Sequence, residues 1–298
     1  MLAALTACGS DHHSAASSDG CSTESTQGMS GAATIPVPTT TVTVVSTGAD
    51  PKLPVNYQPD RTTAQRVALT AVSALNSSAG PSGPQSQTTA VTLPLTARAH
   101  CDTTGDDANE VEMTLGVPTS PDPGLNSSLT ASADSYAGVS MGAGTVPVSL
   151  RIVPAAKADD ASRQAIESTL VGTLQRSVAL PNQPIGIGAQ WRAQRVVDSG
   201  SQVEQTITAT LRSRDGDRLT IDFSIDESPI NSVFAIPGST QTLTIDTYTM
   251  QGTGVAVIDL HRALPVGGNL TISGGRTLTG DDPNNPLIQQ MSFTDSWR

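Results

Sequence analysis

Aromatic side chains make up only 3% of this 298-residue chain, too few for the stacked platforms on which sugars and bases are held. Basic residues are scarce as well: 16 Lys and Arg face 27 Asp and Glu, a net charge of −11. Nucleic-acid binding rests on cations that neutralise phosphates, so that class is excluded, and anionic headgroups would repel the chain. No apolar run approaches the roughly 18 residues that cross a bilayer as a helix. Cysteine is limited to Cys8, Cys21 and Cys101.

What is present starts at the N-terminus. Leu5-Thr6-Ala7-Cys8 resembles the bacterial lipobox, an apolar residue and two small ones before a cysteine. The resemblance implies a diacylglycerol on the Cys8 thiol and cleavage before Cys8. Each buried acyl methylene contributes about 0.8 kcal/mol, and two or more chains anchor a protein stably. Residues 1–7 then read as a truncated signal peptide. They lack Lys and Arg and fall short of a full apolar leader, so a start codon further upstream is expected. From Gly9 to about Pro54 the chain is mostly Ser, Thr, Gly, Ala and Pro, with too little large apolar surface to fold. Residues 8–56 are therefore expected to form a lipidated, disordered polar tether. With Cys8 modified, Cys21 and Cys101 lie in an oxidising compartment. They either pair, pinning the tether to the domain, or stay as separate thiols.

Beyond Tyr57 the pattern becomes alternation. Val203, Ile207, Ala209 and Leu211 share one face of Gln202–Arg212, and Leu219, Ile221, Phe223 and Ile225 share one face of the next segment. Ser213-Arg214-Asp215-Gly216-Asp217 between them supplies a tight turn, so the pair predicts a hairpin. Further strands are expected over 66–75, 88–98, 111–115, 146–153, 191–198, 240–249, 254–261, 269–273 and 288–294. One stretch has a different period. Ile166, Leu170, Leu174 and Val178 recur every fourth residue, predicting a helix over 159–178 with Asp159 or Asp160 as N-cap. It is the single helix expected.

The segments on either side of that helix resemble each other. Ala64-Gln65-Arg66-Val67 matches Ala193-Gln194-Arg195-Val196, and Asp134-Ser135-Tyr136 matches Asp246-Thr247-Tyr248, each followed by Gly-x-Gly and a leucine. The common order predicts a duplication: a first β half over 57–157, a linking helix over 158–180 and a second β half over 181–298. The fold class expected is mainly β, two antiparallel meanders forming an open or closed barrel-like domain. Leu180-Pro181-Asn182-Gln183-Pro184-Ile185-Gly186-Ile187-Gly188-Ala189-Gln190-Trp191, with Gly252-Thr253-Gly254 and Asp259-Leu260 later, resembles an uncharacterised family of actinobacterial envelope lipoproteins. That resemblance runs from about Tyr57 to the C-terminus. It implies a lipid-anchored, mainly β domain and carries no activity or site residues.

Candidate chemistry is sparse. Gly138-Val139-Ser140-Met141-Gly142 fits G-x-S-x-G, but the elbow needs a strand turning into a helix, and Ala143-Gly144-Thr145-Val146-Pro147 is hostile to one. Asp259 and His261, two apart on one strand, are badly spaced as triad partners. His12-His13 lacks a third ligand, and Gly280–Asn285 lacks the spacing of a calcium loop. Gly186-Ile187-Gly188 has no phosphate-loop context, and Trp191 reads as core. No catalytic residue, metal ligand or cofactor is expected. The function expected is a membrane-anchored, extracytoplasmic, non-enzymatic lipoprotein on the outer face of the cell membrane. It binds or carries an apolar envelope molecule or, alternatively, contacts other envelope proteins.

Overall fold

The computed structural model describes residues 20–79, 83–101, 109–198, 200–236 and 238–298. Cys8, His12 and His13, and most of the acidic loop that follows Cys101, lie outside the described residues. The chain opens with β1 (Ala33–Pro36) and β2 (Thr41–Ser46). The first half then holds β3 (Gln65–Ala79), β4 (Pro84–Ala99), β5 (Asn109–Leu115), β6 (Tyr136–Met141) and β7 (Pro147–Val153). The second holds β8 (Gln190–Asp198), β9 (Gln202–Asp215), β10 (Arg218–Pro229), β11 (Val233–Ala235), β12 (Thr242–Asp259), β13 (Gly267–Thr279) and β14 (Leu287–Trp297). Helix α1 (Pro123–Thr130) falls between β5 and β6, and α2 (Asp160–Gln175) links the halves.

All fourteen strands join one antiparallel sheet, in the order β1-β7-β6-β5-β4-β3-β14-β13-β12-β10-β9-β8-β2, with β11 paired to β12. The order has an internal period. The run β7-β6-β5-β4-β3 is echoed by β13-β12-β10-β9-β8, and β14 lies between them. β14 thus flanks β13 as β1 flanks β7, and flanks β3 as β2 flanks β8.

The two edge strands are consecutive in sequence. β1 pairs with β7 and β2 with β8, at opposite ends of the sheet, yet only residues 37–40 separate them. Five residue steps span at most about 18 Å, so the two edges lie close together. No ladder joins β1 to β2 among the described residues; the sheet is curled but not closed.

These observations correct two expectations. The disordered tether proposed for residues 8–56 does not hold for residues 33–54: β1 and β2 form ladders, and Leu53 bonds back to Ile185 in both directions. Composition misled there because an edge strand can borrow its buried surface from the sheet it joins. The described residues hold two α-helices, not one. α1 is short and carries one buried side chain, Leu129, so it has no apolar stripe to read; Asp122 caps it, accepting from the amides of Gly124 and Leu125.

Strands split at glycine in the sequence reading run through it. β12 continues across Gly252-Thr253-Gly254, where a side chain would not fit: a Cβ on Gly254 would lie 2.5 Å from the Phe223 ring and from the Asn269 carbonyl oxygen. β6, read only as a motif, is a full strand.

One face of the sheet is buried. Trp191, Ala193, Arg195 and Val197 alternate with exposed residues along β8, and Leu219, Ile221, Phe223 and Ile225 alternate with half-buried ones on β10. Two apolar clusters lie on this face. One gathers Leu93, Leu95, Val111, Met113 and Leu150 with Ile166 and Leu170 of α2; the other gathers Trp191, Ile207, Leu211, Ile221 and Ile272 with Val178, Ala179 and Leu180. α2 and the segment that follows it therefore pack against both halves. Asp159 caps the helix through the Ser162 amide at 2.9 Å. The Trp191 indole, fully buried, donates to the Ala179 carbonyl at 2.7 Å and fixes the exit of the helix.

Candidate functional site

The buried face surrounds two hollows on either side of α2. The first, about 110 Å³, is lined by Leu95, Met113 and Val139 from the first half and Phe223, Ile258 and Leu270 from the second. Residues from both halves meet across it, so the buried face is concave. Tyr57 closes part of its wall, its hydroxyl donating to the Ala263 carbonyl at 2.8 Å, and burial pushes that phenol well above its ordinary pKa. Two hydroxyls in the lining, Thr145 Oγ1 and Thr173 Oγ1, have no hydrogen-bond partner among the described residues. A mainly apolar hollow with a few polar atoms is the usual form of a small-molecule site.

The second hollow is larger, about 330 Å³, and mixed in character. Val72, Val91, Met250, Ile272 and Phe293 supply apolar wall; Gln205, Glu227, Tyr248 and Asp198 supply polar groups. Gln205 donates to one Glu227 carboxylate oxygen at 2.9 Å and Tyr248 to the other at 2.8 Å. Gln205 and Glu227 share a register row. Arg195 lies opposite Gln205 and Gln205 opposite Glu227, followed across the sheet by Met250, Gly274 and Met291.

Arg176 lines both hollows. It donates to Asp295 through Nε at 2.8 Å and Nη2 at 3.1 Å, and its guanidinium sits 5.0 Å from the centre of the Phe293 ring. This bidentate pair forms a partition between the hollows. Arg195 takes a different part: its guanidinium donates to the carbonyls of Leu174 and Ser177 at the end of α2, where a cation also suits the helix dipole. Burial lowers its pKa to about 10.

The sequence marks none of these interior polar residues as a site residue by motif, Arg195 and Tyr248 entering only as repeat matches, although a signal existed. Gln205 interrupts the apolar series Val203, Ile207, Ala209, Leu211; Glu227 extends the series ending at Ile225; Arg195 sits between Ala193 and Val197. A polar residue on the apolar parity of a strand marks an interior polar group.

The residues that were singled out lie elsewhere. Ser140 is the penultimate residue of β6, between Val139 and Met141 that line the first hollow, and lines neither hollow itself. It donates to Glu110 at 2.6 Å and accepts from Arg151 at 2.8 Å and Ser149 at 3.0 Å. His261 bonds the Gln58 carbonyl and the Asp217 carboxylate, not Ser140, and Asp259 caps the His261 amide. The structure does not bring these three together. Arg151 also pairs with Glu110 and, at 3.7 Å, with Glu112, and it donates to Thr26 at 2.9 Å. Thr26, 1% exposed, belongs to an N-terminal segment laid over this outer face. Cys21 and Cys101 are joined by a disulfide at the end of that segment, and Ser22 bonds the backbone of Ala99 and Cys101 beside it. Among the described residues no cluster of three or more His, Cys, Asp or Glu could hold a metal, and no helix is long and apolar enough to cross a membrane.

No protein-family model and no curated protein matches the chain. Two solved structures align with it at low TM-scores. The binding domain of Botulinum neurotoxin DC in complex with rat synaptotagmin II gives 0.12, at 9% identity over 85% of this chain and 89% of that one. A crystal structure of a receptor binding domain gives 0.13, at 8% identity over 87% and 88%. Values this low carry no argument about fold or partner.

Proposed function

We propose that this chain is a non-enzymatic binding module of the cell envelope, lipid-anchored through Cys8 on the outer face of the membrane. In this reading it belongs with the actinobacterial envelope lipoproteins it resembles in sequence. Its sheet is a duplicated, half-open barrel, and the lumen holds an apolar group of an envelope molecule. The observation that carries the reading is the apolar hollow of about 110 Å³ walled by both halves and by α2. Its size selects the occupant. A dry cavity of about 150 Å³ holds benzene, so this somewhat smaller hollow takes at most one small ring or the end of an alkyl chain, not a whole lipid.

The test is calorimetric titration of the chain with benzene, for the native protein and for Val139→Phe. Val139 lines the hollow, so saturable binding lost in the variant supports the reading. No binding to the native protein refutes it.

A second reading has its own observation. Val45 on β2, Leu53 and Ile187 are exposed at 56%, 42% and 55%, and hydrogen bonds tie residues 47–53, just past β2, to residues 185–187. A small apolar patch of this kind suits contact with another envelope protein. Retention of an envelope protein by the native chain but not by Ile187→Asp would favour it.

A further inference from the structure

We infer that the 330 Å³ hollow is a site for a protonated amine carried on an apolar body. The inference rests on the reading of the interior as a binding space and adds the chemistry of the group bound. The charged residues in its wall are Glu227, Arg176 and, at the exposed rim, Asp198, whose carboxylate accepts from the Gly200 amide. Arg176 is already matched by Asp295, which leaves two carboxylates without a cation in the wall. Glu227 does accept from Gln205 and Tyr248, yet both of those donors are neutral.

The second observation is Gln205 itself. It is 1% exposed, it lines the hollow, and its Oε1 has no hydrogen-bond partner among the described residues. A buried acceptor left unmade is costly, and a donor brought by a ligand would complete it. Arg195, its neighbour in the row, has its Nη atoms turned to the carbonyls of α2 and is not part of the hollow's wall.

The carboxylate and the unpaired acceptor of this wall are gathered at Glu227 and Gln205, and its other polar residues, Ser73, Thr89, Ser168, Thr169 and Gln175 among them, are neutral. Val72, Met250, Ile272 and Phe293 offer an apolar surface beside them. An ammonium has three donors and no acceptor. A carboxylate or phosphate would meet Glu227 and Asp198 as like charges. The occupant that fits is an alkylammonium, its head at Glu227 and Gln205 and its chain on the apolar wall.

The experiment titrates the full chain with hexylammonium, hexanol and hexanoate, and separately with benzene. Hexylammonium is expected to bind about tenfold more tightly than either of the other hexyl compounds, the scale of one charge-assisted hydrogen bond. Glu227→Gln is expected to remove that preference while leaving benzene binding unchanged. Asp198 lies at the exposed end of β8, so Asp198→Asn, expected to weaken hexylammonium about threefold through lost Coulomb attraction, serves if Glu227→Gln does not fold. Equal affinity for the three hexyl compounds overturns the inference, as does a preference that survives in folded Glu227→Gln or is unmoved by Asp198→Asn. Benzene bound without amine preference sinks this inference alone. Amine preference without benzene binding sinks only the apolar-hollow reading.

Discussion

Arg176, just past the last turn of α2, and Asp295 on β14 meet in a bidentate pair, with side-chain exposures of 13% and 6%. Removing one partner leaves the other charged and buried. Asp295→Asn should therefore cost about 3–5 kcal/mol in urea unfolding, whereas Arg176→Met with Asp295→Leu should recover most of that loss. If the single and double variants lose the same amount, the pair does not hold α2 to the sheet.

The disulfide between Cys21 and Cys101 closes a loop with a sequence separation of 80. In the chain-entropy account a loop of that length stabilises by about 4.5 kcal/mol, and measured removals range over about 2–5. Replacing both cysteines by Ser should lower stability within that range. Proteolysis should then begin in residues 20–32, which the bond holds against the end of β4. An unchanged unfolding midpoint would mean that the Thr26–Arg151–Glu112 contacts suffice alone.

Stability should depend on pH near neutrality through His261. The hydrogen bond to the Gln58 carbonyl and then the Asp217 carboxylate raise its pKa above the ordinary 6.5. A group raised in the folded state adds stability that is fully present below the unfolded pKa and is lost as pH rises through the folded one. The urea midpoint should thus fall between about pH 6 and pH 8, and Asp217→Asn should flatten that slope. The effect is small because the imidazole is largely exposed, with a side-chain exposure of 57%. A slope of the opposite sign would contradict the contact.

Ser140 bridges Glu110 and Arg151 beneath the N-terminal segment. Ser140→Ala should cost about 1–3 kcal/mol, because it leaves buried partners unsatisfied. Hydrolysis of a p-nitrophenyl ester should be the same for both proteins. A loss of turnover in the variant would reopen the nucleophile reading that the G-x-S-x-G match offers and its sequence context opposes.

How much was legible in the sequence followed from what each segment buries. β8, β9, β10 and α2 carry their own periodic apolar faces, and their residues announced them. β1 and β2 do not: Ile35, Val42 and Val44 pack only as additions to clusters built by other strands. A polar edge strand is indistinguishable from a linker until its partner is known. The interior polar row was visible only as gaps in apolar series at Arg195, Gln205 and Glu227. That these gaps align into one row depends on register across β8, β9 and β10, which no local pattern states.

The seam gives the clearest contrast between a tether and an integral segment. A chain beginning at residue 57 would leave an intact domain if residues 8–56 were only a tether. The ladders predict otherwise. Without β1 and β2 it loses the half-buried Ile35, Val37, Val42 and Val44, about 1–2 kcal/mol each, from a total that is typically about 5–15. It also bares the edges of β7 and β8, whose free amides and carbonyls are templates for pairing with another chain. The shortened chain should therefore melt well below the longer one and elute as a dimer or larger species. A chain beginning at residue 20 keeps both ladders and the disulfide, and should match the full chain in melting temperature and stay monomeric. A monomeric 57–298 fragment with an unchanged melting temperature would return β1 and β2 to the tether and leave the sheet's edges unbridged.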